Sequence, residues 1–123
     1  MSAALRRIEA VARARGWAVA RGFRGRLVGW IGRRTLDAAD GLCLAPCRAV
    51  HTFGMRVSID VLFIDGRLRI VRCVPHLPPG RLAVARTAIA VIELPAGAAS
   101  AAGLRAGSAL TATPLPTCKE DRP

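Results

Sequence analysis

Two carboxylates stand inside apolar segments of this sequence. Asp60 lies in the run 57–64 and Glu93 in the run 85–94. Because a buried charge without a partner is strongly destabilising, each acid must lie near the end of a strand or pair with a cation. Arginine is abundant, and its guanidinium binds a carboxylate through two hydrogen bonds. The candidate partners are Arg26, Arg33 and Arg56.

Such pairs have two interpretations. In the structural one, ion pairs fix the segment 23–34 to a sheet. In the functional one, polar side chains around apolar strands line a pocket for a small polar or anionic ligand. The candidate ligand-binding residues are then His51, Thr52, Asp60, Glu93, Arg26 and Arg33.

A thiol and an imidazole four residues apart offer a second kind of chemistry. Histidine could take the proton of Cys47 and leave a nucleophilic thiolate, with His51 as the base. Four residues of extended chain span ~13 Å, so the chain would have to turn between them, and the sequence offers no third group to orient the imidazole. The alternative is a buried thiol and a histidine bonded to the main chain.

The cysteines and histidines do not form a recognisable metal site. Cys43, Cys47, His51, Cys73 and His76 carry suitable ligand atoms, but their spacing matches no common zinc pattern. We therefore expect no metal and no cofactor. Without an export signal we also expect thiols rather than disulfides.

Positive charge is concentrated in the first third of the chain. The net charge is +11, and residues 1–36 hold nine arginines against Glu9 alone, which gives 9 − 1 = +8. This excess fits a nucleic acid or an anionic surface, but also a compositional bias towards arginine. Aromatic residues are few and no nucleic-acid motif is present, so nucleic acid is a possible partner that we do not favour. The partner is an unidentified small molecule or protein.

No apolar run reaches the ~20 residues of a membrane span, and no secretory signal is evident. We expect a cytoplasmic protein. We expect three parts: a basic N-terminal helix or tail at 1–16, a β-rich domain at 17–112 and a disordered tail at 113–123.

Hydrophobic spacing predicts a mainly β fold. Helical periodicity covers 3–14 and 23–34, with one or two helical turns at 98–104. Short apolar runs predict strands at 17–20, 41–45, 57–64, 67–74, 85–94 and 108–112, and a short strand or an extended loop at 50–55. Asp65-Gly66 predicts a two-residue hairpin turn, three prolines predict an irregular loop at 75–80, and we expect Phe53 and Met55 in the core. The fold class is a compact antiparallel β sandwich or partly open barrel, with one helix packed against it and a short N-terminal helix.

Several motifs in order resemble a known family. The run 47–56 (CRAVHTFGMR) with Ile59-Asp60-Val61, the segments 93–97 (ELPAG) and 103–107 (GLRAG), and the segment 26–33 are similar to signatures of the domain-of-unknown-function 192 family. These are uncharacterised small prokaryotic proteins. The resemblance spans about residues 17–112 and implies a compact mainly β fold, but no reaction. Trp30 replaces a usual leucine, and Ser108 stands where the family tends to have aspartate.

The sequence therefore favours a small binding or accessory domain. One alternative is a thiol-dependent enzyme or hydrolase that uses Cys47 and His51. The other is a binder of anionic surfaces or nucleic acid through the N-terminal arginines.

Overall fold

The computed structural model describes residues 2–20, 30, 35–37 and 39–112. Two helices and seven strands follow one another in this part of the chain. They are α1 (Ala3–Ala14), β1 (Ala18–Ala20), β2 (Leu42–Leu44), β3 (Ala49–His51), β4 (Ile59–Ile64), β5 (Ile70–Leu77), β6 (Leu82–Val84), β7 (Ala90–Pro95) and α2 (Ala98–Ala101).

Five strands form a central sheet in the order β1-β2-β7-β4-β5, and β3 pairs with β6 in a separate two-stranded sheet. The predicted mainly β class is confirmed, and the described strands do not close into a barrel. One detail differs from the expected antiparallel arrangement. β1 runs parallel to β2, whereas the other pairs are antiparallel.

The central sheet is covered on both faces. Since side chains alternate along a strand, Leu62 of β4 packs in one cluster with Ile8 of α1. Phe63 faces the other way and packs with Val50 and Ala83 of the small sheet. All six residues of β4 are buried, because it lies between two other strands and two layers.

The predicted helix at 3–14 is confirmed as α1. Ser2 caps it, since its Oγ accepts a hydrogen bond from the Leu5 amide at 3.1 Å. Ile8 and Ala12 are fully buried against the sheet. The part boundaries at 16 and 112 stay predictions, and the tail 113–123 lies outside the described residues.

The hairpin at Asp65 is confirmed, but its turn is longer than the two residues expected. The Leu68 amide donates to the Asp65 carbonyl at 3.1 Å, and Leu68 has a φ of 60°. The Asp65 carboxylate accepts from the amides of Arg67 and Arg69 at 2.9 and 3.0 Å. These side-chain bonds hold a three-residue loop, as aspartate commonly does in turns.

Three strand predictions are wrong in extent. β5 continues through Pro75 to Leu77 because it is an edge strand, where a missing N–H breaks no central ladder. The predicted strand 85–94 begins only at Ala90, while β6 was not predicted at all. The last predicted strand is reduced to a single bridge between Arg69 and Ala109. The predicted helix 23–34 lies outside the described residues, except for the buried Trp30.

Candidate functional site

Asp60 is buried and accepts three main-chain hydrogen bonds. Its side chain is 1% exposed. Oδ1 accepts from the His76 amide at 2.9 Å, and Oδ2 accepts from the amides of Gly97 and Ala99 at 3.0 and 2.9 Å. Among the described residues, main-chain N–H groups and no arginine surround this carboxylate. The candidate partners Arg26 and Arg33 lie outside the described residues, so their pairing stays a prediction.

The chain around Asp60 is shaped to bring those amides together. Between Ile59 and Val61 the register of β5 shifts, so that its bulge carries His76 at a φ of 50°. On the other side, the left-handed Gly97 leads into α2, and the first amides of that helix have no partner within it. Asp60 therefore ties the edge-strand bulge to the start of α2.

The second acid lies on the opposite face of the sheet. Asp60 pairs with Leu94, whereas Glu93 pairs with Val61 of β4 and Leu42 of β2. Since neighbouring residues of a strand point to opposite faces, the structure does not bring the two carboxylates together. Glu93 is buried, and the predicted partners Arg26 and Arg33 lie outside the described residues.

Thr52 is a second buried anchor. Its Oγ1 donates to the Pro78 carbonyl at 2.7 Å and accepts from the Arg81 amide at 2.8 Å. Its main-chain N–H donates to the Arg81 carbonyl, and its carbonyl accepts from Gly80. Thr52 thus holds the connection 78–81 between β5 and β6, and Asp60 holds the end of β5 at His76. Both side chains stabilise the local main chain, and their oxygen atoms are already hydrogen-bonded to it.

His51, in contrast, is exposed and stands beside an apolar surface. Its ring stacks on Phe53 with centroids 5.0 Å apart and 22° between the planes. His51 pairs with Leu82, and Ala49 with Val84, so these side chains share the outer face of the small sheet. We call the surface formed by His51, Phe53, Leu82 and Val84 the His51 face.

Sequence reasoning missed most of the His51 face. Phe53 was expected in the core and is 54% exposed, whereas Met55 is buried as expected. Leu82 and Val84 were missed because β6 was not recognised. The signal was present as the short alternation Leu82-Ala83-Val84 after Gly80-Arg81.

Cys47 and His51 hydrogen-bond to the main chain. The Cys47 thiol donates to the Ala49 carbonyl at 3.1 Å. Nδ1 of His51 accepts from the Phe53 amide at 3.3 Å. The thiol and the imidazole therefore bond to different main-chain groups.

The two other described thiols, Cys43 and Cys73, have raised pKa values. Burial raises the pKa of Cys43 to about 12, with a further contribution from Glu9. Burial also raises the pKa of Cys73, and the neighbouring Asp60 adds to that rise. A raised pKa suppresses the thiolate and makes both cysteines poor nucleophiles. Within the described ranges, no three metal-binding side chains cluster.

Arg13 and Arg15, at the end of α1, contact neighbouring groups of the protein. Arg13 lies 3.8 Å from the buried Glu9. Nε of Arg15 donates to the Thr111 carbonyl at 2.6 Å, and its guanidinium lies over the Trp17 ring. These contacts hold α1 in place.

The cavities that border the described residues include the following three. One of about 380 Å³ lies between the start of α1 and the segment before β3, and Arg48 and Cys47 line it. One of about 240 Å³ lies beside Trp17, and one of about 280 Å³ lies between β5 and α2 beside Arg105. None of the three is lined by His51, Thr52, Asp60 or Glu93.

The sequence profile of DUF192, described as "Uncharacterized ACR", matches residues 7–112. The chain belongs to the DUF192 family. The predicted resemblance is therefore confirmed, and it extends into α1. No curated protein matches the chain.

Two crystal structures resemble this DUF192 fold. One is a protein of unknown function from Novosphingobium aromaticivorans, with a TM-score of 0.65 and 19% identity over 72% of this chain and 69% of that one. The other, from Sinorhizobium meliloti, is named "putative transcription regulator", with a TM-score of 0.68 and 20% identity over 76% and 78% of the two chains. At this identity the likeness concerns the fold. No helix of the described part has the length and apolarity to cross a bilayer.

Proposed function

We propose that this DUF192 protein is a non-catalytic binding domain that takes an anionic ligand at the His51 face. The observation that carries the proposal is the contrast between buried and exposed polar groups. Thr52 and Asp60 are enclosed and hydrogen-bonded to the main chain. His51 remains exposed, next to segments rich in arginine.

Charge supports an anion rather than a cation at this place. The segments 48–57 and 81–89 form the small sheet and its flanks, and they contain no acidic residue. They contain four exposed arginines, Arg48, Arg56, Arg81 and Arg86. Guanidinium groups bind carboxylates and phosphates through paired hydrogen bonds. Arg48 also lines the cavity of about 380 Å³, which offers a concave neighbour for a small ligand.

Catalysis receives less support than binding. The thiol of Cys47 and the ring of His51 bond to different main-chain groups. The raised pKa values of Cys43 and Cys73 work against thiolate chemistry. No observation on the described residues favours the thiol enzyme over the binding domain.

The test measures anion binding by calorimetry and thermal melting, with inorganic phosphate, citrate and a short polyglutamate peptide as probes. We expect at least one probe to bind and to raise the melting temperature, because a ligand of the native state stabilises it. The double variant Arg48→Ala/Arg81→Ala should bind about fivefold more weakly, since an exposed charge pair contributes about 0.2–1 kcal/mol.

The matched control is Arg7→Ala/Arg67→Ala, which removes the same charge from exposed positions on α1 and the β4–β5 turn. It should leave binding within about twofold of wild type, because its charges lie elsewhere. If no probe binds, or if both double variants weaken binding equally, the proposed site is wrong.

A further inference from the structure

We propose that the His51 face docks an acidic segment of a partner protein, which inserts a large apolar side chain among Phe53, Leu82 and Val84. This inference rests on the proposed function and names the class of its ligand.

Exposed apolar side chains are concentrated at the His51 face. Phe53, Leu82 and Val84 are 54%, 65% and 41% exposed, and they are the exposed large hydrophobic residues of the described chain. Their neighbours on the inner side, Val50 and Ala83, are each 4% exposed and packed in the core. A contiguous apolar patch with a polar border marks an interaction site.

The His51 face is held in place by hydrogen bonds and ring stacking in the unbound protein. Thr52 bonds Arg81 through both its side chain and its main chain, which fixes the end of β3 against the start of β6. The Phe53 ring is stacked on His51, whose Nδ1 accepts from the Phe53 amide. A surface ordered in advance loses little conformational entropy on binding.

Exposed arginines in the segments that form the small sheet and its flanks complement an acidic partner. Arg48, Arg56, Arg81 and Arg86 are exposed, and within the described ranges none of them forms an ion pair with a carboxylate. Arginines around an aromatic and aliphatic centre are typical of protein interfaces. Opposite charge on the partner would speed association and fix its orientation.

Other occupants fit this surface less well. A second copy would place arginines against arginines across a twofold axis, on a chain that carries a net charge of +11. Nucleic acid would use the arginines but not the aliphatic side chains of Leu82 and Val84. A bilayer is contacted by amphipathic helices with an apolar face, whereas Leu82 and Val84 stand on a paired strand.

The experiment uses fluorescence anisotropy with two labelled peptides of equal charge. Both are short runs of glutamate and aspartate, and one also carries a leucine and a phenylalanine where the other has glycines. We expect the apolar peptide to bind the full chain about tenfold more tightly, which corresponds to ~1.4 kcal/mol. Leu82→Ser and Phe53→Ser should each weaken binding of the apolar peptide more than binding of the glycine peptide, and so reduce that difference. Ala101→Ser on exposed α2 is the control and should change neither affinity.

Each other outcome has a defined meaning. If both peptides bind equally and Leu82→Ser has no effect, the docking inference fails while anion binding stands. If neither peptide binds, the inference fails, and the phosphate and citrate titrations decide the proposed function separately. The inference is overturned if the protein binds phosphatidylserine vesicles or duplex DNA more tightly than the peptide. It is also overturned if sedimentation shows a dimer that Leu82→Ser abolishes, because the His51 face would then bind a second copy of the chain. Melting curves show whether each variant is folded.

Discussion

Asp60 supports a strong prediction about stability. Its carboxylate, 1% exposed, accepts three main-chain hydrogen bonds of 2.9–3.0 Å. In Asp60→Asn one oxygen becomes an NH2 group, so at least one amide loses its acceptor and faces a donor. A hydrogen bond to a charged group contributes about 1.5–3 kcal/mol, and an orphaned buried donor costs a similar amount. We therefore expect Asp60→Asn to lower the free energy of unfolding by about 2–3 kcal/mol.

Asp60→Ala removes both acceptor oxygens and with them all three hydrogen bonds. It should cost about 5 kcal/mol or more, out of the ~5–15 kcal/mol that stabilises a typical domain. The control is Asp65→Asn in the β4–β5 turn. Its carboxylate also accepts from two amides, but the turn is open to water. Water can replace an exposed acceptor, so we expect a loss of about 1 kcal/mol or less.

The assay is urea unfolding followed by circular dichroism, with the midpoint and slope compared between variants. Hydrogen exchange of the His76, Gly97 and Ala99 amides adds a local measurement. In Asp60→Asn at least one of these amides should exchange faster than in wild type, beyond the general loss of stability. An Asp60→Asn protein as stable as wild type, with all three amides still protected, would refute the role given to this carboxylate.

Three further predictions concern the core. Gly41→Ala should lower the free energy of unfolding by about 2–3 kcal/mol through overpacking, because the added Cβ would lie 2.1 Å from Cδ1 of Trp17. In the control Gly66→Ala the added Cβ meets nothing closer than 4.0 Å, so this variant should be nearly neutral in the same urea assay. Thr52→Val should lose about 2 kcal/mol by removing two side-chain hydrogen bonds, and Thr52→Ser should restore most of it; equal stability of the two variants would contradict this. Burial raises the pKa of Cys43 from 9.0 to about 12, so the unfolded chain releases this proton first and stability should fall as pH rises through that range. Unfolding at pH 8 and pH 10.5 should therefore show a larger loss in wild type than in Cys43→Ala, and identical losses would rule out the effect.

The spacing of apolar residues and the turn residues correctly predicted the elements that depend on neighbouring positions in the chain. The helix α1 follows from the spacing of Leu5, Ile8 and Ala12. The strand β4 follows from a largely apolar run, rich in β-branched residues, that suits a fully buried strand. The hairpin after β4 follows from Asp65-Gly66. Its loop is longer than the two residues expected, because the Asp65 side chain accepts hydrogen bonds from the amides of Arg67 and Arg69.

The environment of Asp60 could not be predicted, because its three donors come from distant positions in the chain. The bulge at His76 and the start of α2 meet Asp60 only after β5 and β7 have paired with β4. The sequence indicated correctly that a buried acid needs partners, but not that main-chain amides would provide them. Likewise, Leu82 and Val84 looked like part of a loop because β6 has three residues and follows Pro78-Pro79-Gly80.

We propose that this DUF192 domain binds an acidic, apolar segment of a partner at the His51 face. The most direct measurement is a two-dimensional ¹H–¹⁵N NMR titration of the full chain with the leucine- and phenylalanine-containing acidic peptide. Docking at the His51 face should produce the largest shift changes at the amides of His51, Phe53, Leu82 and Val84, and these changes should saturate together. Shift changes centred on α1 or α2, or none at all at saturating peptide, would contradict it.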